Sequence, residues 1–383
     1  MKDLRIAVLG STGSVGKQAL DVAKEIGARV LFLSAGRNIG LLAEQIKTFS
    51  PEAVCVLDKS DAEALRRDPS VKAEVFFGDD GLLSCIKALD ADVIVHSISG
   101  LAGVAPAVAA AEKGCRIAMA NKEAIISAGR FIFNELSRSG GEMIPVDSEH
   151  SAIFQCLAGN RGCELKKIFL TASGGPFYGY TKEMLRDVTA AEALDHPTWN
   201  MGPKITVDCA TMMNKGFEII EAVRLFGVPE DKVEVLIHRQ SIIHSMVEYT
   251  DNTVMAQMAL PDMRSCIRFA FSCPDRFDVS GDGIDFASVG SLTFDRPDTD
   301  VFPLLDVARE AVRREGVYPT ALIAADEVAV ESFIEGKLSF DRIPDVVTGS
   351  LGEIRDRTVD DPSQIAEIIE ETKNIAKRIT FCM

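Results

Sequence analysis

The first 147 residues alternate between short apolar runs rich in β-branched side chains and stretches with helical spacing. The runs are RIAVLG, RVLFLSAG, EAVCVLD, AEVFFG, DVIVHSIS, RIAMAN and EMIPVD. Such runs suit strands covered on both faces, and the stretches between them suit helical crossovers. The pattern predicts a seven-stranded, doubly wound parallel sheet of Rossmann-like type with right-handed connections.

After Asp147 the rhythm changes. IFQCLAGN reads as a helix and KKIFLTASG as a strand. A long stretch follows, SGGPFYGYTKEMLRDVTAAEALDHPTWNMGPK, with glycines, prolines and aromatic residues but no clear period. ITVDCAT reads as a strand, and MMNKGFEIIEAVRLFG as a helix capped by Gly227. VEVLIHRQSIIHSMVEYT and TVMAQMAL are strand-like and joined at Asp251-Asn252, a good turn pair. Residues from about 299 onward carry only helical spacing. The expected fold is α/β: an N-terminal parallel-sheet domain over 1–146, an α+β catalytic domain with a lid loop over 147–273, a linker over 274–298 and a small C-terminal helical bundle over 299–383.

Composition agrees with several cores, since 383 residues exceed one ordinary domain. A net charge of −16 argues against nucleic acid and anionic membranes as partners. No apolar run approaches the ~20 residues of a membrane span, and no secretory leader pattern precedes the first strand. The nine cysteines form no CxxC pair, and the spacings Cys156–Cys163 and Cys266–Cys273 suit no zinc knuckle. A cytoplasmic location follows as the expectation.

The candidate chemistry begins at GSTGSVG, Gly10 to Gly16, directly behind the first strand. Gly10 permits a tight turn, Gly13 a close approach of backbone to a pyrophosphate, and Gly16 close packing of helix on sheet. Free N–H groups at the helix start favour the anion. The second strand ends in AGRN, so Gly36, Arg37 and Asn38 stand where an NAD site carries an acid; a guanidinium there suits the 2′-phosphate of NADP. In PVDSEHSA, Asp147 and Glu149 are two apart, which on extended chain points both carboxylates one way, toward a hard divalent cation. In NKGFEIIEA, Asn214 and Glu218 share a helix face, Lys215 can hold an anion, and Glu221 is an alternative ligand expected in solvent. Ser173, Gly174 and Gly175, with His196, the single Trp199 and Met201, read as a lid.

Together these residues closely resemble the 1-deoxy-D-xylulose 5-phosphate reductoisomerase family. The resemblance spans the chain and rests, in order, on GSTGSVG, AGRN, ANKE, PVDSEHSA, TASGGPF, HPTWNMG, VDCATMMNKGFE and QSIIHSMVEY. It implies NADPH, bound by Thr12, Gly13, Ser14, Val15, Gly36, Arg37, Asn38, Asn121, Glu123 and Gly202, with Met201 also on the nicotinamide side. It implies one Mg²⁺ or Mn²⁺ on Asp147, Glu149 and Glu218. Lys122 and Ser148 would meet the substrate. Ser173, Asn214 and Lys215 would bind its phosphate, with Cys209 at the position of a further phosphate contact, while His196 and Trp199 close over it and Ser241 and His244 line the same site. Lys122, His196 and the three metal ligands form the catalytic set that the resemblance implies. The implied reaction rearranges 1-deoxy-D-xylulose 5-phosphate on the metal and reduces the branched aldehyde to 2-C-methyl-D-erythritol 4-phosphate, a step of the non-mevalonate route to isoprenoid precursors. A homodimer is implied as well.

One departure stands out. The family motif is VDSATMMNKG, and this chain has Cys209 in place of the serine. A thiol is the poorer donor, which predicts phosphate binding weaker by roughly 1 kcal/mol. The alternative is that backbone N–H groups carry the phosphate and the thiol is silent. Two rival functions stay in view. A metal-independent NADP dehydrogenase would not need Asp147, Glu149 and Glu218 together, and a non-catalytic NADP sensor would turn over no substrate.

Overall fold

A computed structural model of the chain describes residues 4–160, 164–199, 201–280 and 283–383. Cys163 of the cysteine spacing and Asn200 of HPTWNMG lie outside the described residues. Where chain order suggests four stretches, the chain folds into two compact units. The first comprises Met1–Ala124, Ala128–Ser151 and Asp262–Gly281; the second comprises Ile125–Ser127, Ala152–Pro261 and Asp282–Met383.

The first unit holds the seven strands the pattern predicts: β1 (Arg5–Leu9), β2 (Arg29–Ala35), β3 (Ala53–Val56), β4 (Glu74–Phe77), β5 (Val93–His96), β6 (Arg116–Met119) and β7 (Glu142–Pro145). They form one sheet in the order β4-β3-β2-β1-β5-β6-β7, with parallel pairing throughout. Ile6, Ala7, Val8 and Leu9 of β1 and Ile94 and Val95 of β5 are fully buried, as expected of central strands covered on both faces. The chain order reverses between β1 and β5, so the crevice beyond their carboxyl ends is a topological switch point.

The helix Met263–Ser272 also belongs to this unit. It packs on the helix Ser14–Ile26, where Arg268 pairs with Glu25 at 2.8 Å. Arg116 donates to the carbonyls of Phe271 and Cys273 at 3.2 and 2.6 Å. These contacts satisfy carbonyl groups left over at the helix's last turn.

The second unit is built on a four-stranded sheet in the order β11-β10-β8-β9. Its strands are β8 (Leu165–Ala172), β9 (Val233–Ile237), β10 (Ile243–Tyr249) and β11 (Val254–Met258). β8 and β9 are parallel; β10 runs antiparallel to β8 and to β11. The Asp251-Asn252 turn joins β10 to β11 as expected, with Asn252 at φ 66°.

The helix Met213–Phe226 ends at Gly227 in the left-handed conformation, also as expected. ITVDCAT, expected as a strand, lies in the helix Pro203–Ala210 and the residue after it. Gly202 at its N-cap and Pro203 in its first turn are helix-start residues, and they outweigh the β-branched pair Ile205 and Val207. Downstream, the helices Leu304–Arg314, Tyr318–Ile334, Ile343–Glu353 and Gln364–Phe381 pack side by side. Tyr318–Ile334 is buried along most of its length and forms the centre of that bundle.

Among the described residues, no helix is long and apolar enough to cross a membrane.

Candidate active site

The glycine loop follows β1 and opens the helix Ser14–Ile26, as its motif requires. Gly10 sits at φ 81°, and a methyl there would come within 2.6 Å of the Ser97 carbonyl oxygen; one on Gly16 would run into the Gly10 carbonyl. The strand, turn and helix are therefore in contact at distances only glycine allows. Beyond lies a cavity of about 310 Å³ at the carboxyl ends of β1 to β5. Thr12, Gly13 and Gly36 line it. Ser14, Val15, Arg37 and Asn38 do not line it. Asn38 caps the next helix, its side chain accepting from Leu41 N at 3.2 Å.

Sequence reasoning passed over Ser97, Ile98 and Ser99 in the cavity wall. The signal lies in DVIVHSIS, which reads as a strand, since residues just past a parallel strand's carboxyl end face the crevice. Asn121, expected to touch the cofactor, is buried and committed to backbone. Its amide donates to the carbonyls of Ile98 and Gly100 at 2.6 and 2.9 Å, and its Oδ1 accepts from Ala124 N at 2.6 Å. It shapes the cavity wall by holding that loop. Glu123 lies beside it in the first turn of the helix Lys122–Ser139.

Asp147 and Glu149 are not alternate residues of extended chain. β7 ends at Pro145 and a helix begins at Ser148, so Glu149 is in its first turn and Asp147 just before it. The shared direction survives because the turn folds the two together: carboxylate oxygens of both lie within 4.8 Å of one another. Lys122 Nζ pairs with Asp147 Oδ2 at 2.9 Å, and Ser148 Oγ donates to Glu149 Oε2 at 2.5 Å. Burial pushes the Asp147 carboxyl up, but Lys122, His150 and a hydrogen bond with Glu149 outweigh it and hold the carboxyl well below its usual range. Two carboxyl groups brought together at a helix start supply the kind of oxygen donor a hard divalent cation takes.

Glu218 lies in the second unit, on the helix Met213–Phe226, 1% exposed. Asn214 Nδ2 donates to its Oε1 at 2.6 Å, and Lys215 pairs with its Oε2, so the one-turn spacing brings all three side chains together. Glu221 is also only 1% exposed, which corrects the expectation of a solvated side chain: the helix is buried on all sides from Met213 to Ala222.

The stretch after β8 is ordered rather than a loose insertion. It carries the short helices Lys182–Leu185 and Ala190–Ala193, the second closed by a capping box between Thr189 and Glu192. Phe177 is buried against Tyr180 and Phe340, with ring centroids 5.3 and 5.0 Å away. Gly175 sits at φ 67° with no room for a methyl beside the Cys209 carbonyl oxygen, 2.6 Å away. Ser173 Oγ lies 3.1 Å from His196 Nε2. His196 Nδ1 accepts from Thr198 N and Trp199 N at 3.2 and 3.0 Å. Burial, then the Arg239 charge, push the His196 imidazole below its ordinary value. The Trp199 ring stands 6.4 Å from that of His244. Gly202 is the N-cap of the helix that carries half-buried Cys209. Ser241, at φ 51°, and His244 are buried near the start of β10.

Three family descriptions match this chain. "1-deoxy-D-xylulose 5-phosphate reductoisomerase" matches over residues 6–129, its C-terminal domain over 143–226, and "DXP reductoisomerase C-terminal domain" over 258–378. A 1-deoxy-D-xylulose 5-phosphate reductoisomerase of Thermoanaerobacter sp. (strain X514) is 45% identical over 380 residues, covering 98% of this chain and 99% of that protein. The chain belongs to the 1-deoxy-D-xylulose 5-phosphate reductoisomerase family.

The reductoisomerase of Caldanaerobacter subterraneus subsp. tengcongensis is 46% identical over 363 residues, covering 93% of this chain and 95% of that protein. Among solved reductoisomerases, that of Zymomonas mobilis in complex with NADPH superposes with a TM-score of 0.93 at 35% identity, covering 99% of each chain. A reductoisomerase in complex with NADPH, fosmidomycin and magnesium superposes at 0.92 and 32% identity, covering 99% of this chain and 98% of that one. The α/β architecture and Rossmann-like first sheet expected from the sequence are those of this reductoisomerase family.

Proposed function

We propose that the protein converts 1-deoxy-D-xylulose 5-phosphate to 2-C-methyl-D-erythritol 4-phosphate with NADPH and one divalent cation, Mg²⁺ or Mn²⁺. The observation that carries this reading is the near full-length match to a reductoisomerase solved with NADPH, fosmidomycin and magnesium. When bound, the cation would polarise the substrate's carbonyl and hydroxyl oxygens and NADPH would supply hydride.

The chain's own residues do the rest. The loop Thr12 to Val15 and the helix start behind it would present backbone N–H groups to the pyrophosphate, with Gly36, Arg37 and Asn38 at the ribose end. Glu123 and Gly202 complete the cofactor contacts, and Asn121 supports them from behind. Asp147, Glu149 and Glu218 would hold the cation. Lys122, paired with Asp147, holds that carboxyl ionised and would meet the substrate together with Ser148. Ser173, Asn214, Lys215 and Cys209 would bind the phosphate. His196 and Trp199 would cover it and exclude water. The phosphate is remote from the bonds that change, so its binding energy can position the reacting end.

The chain acts in the cytoplasm in this reading, consistent with eight free cysteines among the described residues. It pairs as a homodimer through β11, whose Val254 and Met255 are exposed at a sheet edge. Sedimentation at low concentration tests the dimer; a monomer at all concentrations removes it. Metal-dependent NADPH oxidation with 1-deoxy-D-xylulose 5-phosphate tests the reaction. The expected result is turnover that stops in chelator and returns with Mg²⁺ or Mn²⁺. No NADPH loss with fresh substrate and metal would refute it.

A further inference from the structure

We propose that Arg239 is a positioning residue for the substrate phosphate, gripping the loop that aims the Ser173 hydroxyl. The inference rests on the reading of Ser173 and His196 as phosphate-site residues and names what orients them.

His196 Nδ1 accepts two backbone N–H bonds, so in the neutral ring its proton is on Nε2. Nε2 therefore donates to Ser173 Oγ. Gly175 N donates to the same oxygen at 3.3 Å. With both lone-pair directions of Oγ accepting, the hydroxyl proton is left to point outward, toward an anion. That polarity depends on the backbone course from Ser173 to Gly175.

Gly174 and Gly175 are both left-handed, at φ 81° and 67°. Arg239 Nη1 donates to the carbonyls of Ser173 and Gly175 at 3.1 and 2.9 Å, so one group ties both ends of the turn. The guanidinium is itself fixed. It lies 5.0 Å over the Tyr178 ring. The Tyr178 hydroxyl donates to Asp295 Oδ2 at 2.8 Å, and the Asp295 backbone exchanges two hydrogen bonds with Ile237, at the end of β9. Arg239 is two residues further on, so the chain of contacts closes on itself.

The same charge faces His196. A protonated imidazole would cost more beside a guanidinium, so Arg239 and burial both favour the neutral ring whose Nε2–H serves Ser173. Lysine has the charge, but its ammonium rotates on a flexible stem, whereas the two N–H groups of Arg239 Nη1 lie in the guanidinium plane and point in fixed directions.

Four forms of the full-length enzyme separate the outcomes: wild type, Ser173→Ala, Arg239→Met and Arg239→Lys. Arg239→Met is expected to raise KM for 1-deoxy-D-xylulose 5-phosphate about five- to tenfold. Its kcat should stay within about twofold, with KM for NADPH unchanged. NMR titration, with the His196 signal assigned among the five histidines by His196→Gln, should show the His196 pKa rising in Arg239→Met. In Arg239→Lys that pKa should return toward the wild-type value while KM stays raised. Should Ser173→Ala raise KM while Arg239→Met leaves both KM and the His196 titration unchanged, the inference fails and the phosphate reading stands. Should Ser173→Ala leave KM unchanged, the phosphate reading fails and the inference with it. A joint fall of kcat and NADPH affinity in Arg239→Met would mark general loosening and also overturn the inference.

Discussion

Replacing Lys204 by Met probes how the helix at the foot of the lid is held. Lys204 Nζ lies 2.7 Å from Asp208 Oδ2 on its own helix and 2.6 Å from Asp326 Oδ2 on the helix Tyr318–Ile334. Both carboxyls are buried, and among the described residues the second oxygen of each finds no donor. Burial, then the neighbouring Asp326, push Asp208 well above the usual carboxylate range, against the pull of Lys204. Stranding a buried charge by removing its partner costs about 3–5 kcal/mol. The Lys204 side chain is 31% exposed, so part of its interaction is already screened. The expected loss is about 2–3 kcal/mol at neutral pH, on the order of 5–10 °C in Tm.

The sign with pH follows from the raised Asp208. Its stabilising contribution is complete below the unfolded carboxylate value of about 3.9 and is lost as pH rises through the folded value. Removing Lys204 pushes that folded value higher, so the penalty grows toward neutral pH and shrinks in acid. Urea melts of wild type and Lys204→Met at about pH 7.5 and about pH 5 read the difference. A loss under about 1 kcal/mol, or one equal at both pH values, would refute the reasoning.

Three further outcomes are expected. Gly16→Ala drives a methyl into the backbone of Gly10 and Ser11, so the turn must shift; NADPH affinity should fall about tenfold or more in a fluorescence titration, and wild-type affinity would show the turn yields freely. Cys209→Ser should lower KM for 1-deoxy-D-xylulose 5-phosphate about fivefold, the worth of one better hydrogen bond, whereas an unchanged or higher KM would leave the phosphate to backbone amides. Asp147→Asn should cut metal-dependent turnover on the order of a hundredfold while leaving NADPH binding intact, because Asp147 does not line the β1–β5 cavity; retained turnover would remove it from the cation site.

The strands of the first sheet were legible because each is an apolar run that a parallel sheet buries on both faces, and the punctuation between them is local. The helix Met213–Phe226 was legible for the same local reason, a period ending at Gly227. ITVDCAT was misread because β-branched residues argue for a strand, while the helix start at Gly202-Pro203 and burial against neighbouring helices override that preference. The direction shared by Asp147 and Glu149 was anticipated from extended geometry but arises from a helix start, since the backbone changes state between them.

The sequence by itself determined the kinds of group available and their order: a glycine turn behind a strand, oxygen donors past the last strand of the sheet, an amide, an ammonium and a carboxylate within one helical turn. Those features depend on spacing along the chain, where local geometry is short-ranged and readable. Only tertiary structure decided which groups are dry and who their partners are. Glu221 is buried, Asn121 is spent on the loop that walls the cavity, and Arg239 reaches back across 64 positions to hold the Gly175 carbonyl. Burial and long-range hydrogen bonds depend on how distant segments pack, and no local pattern in the sequence encodes that.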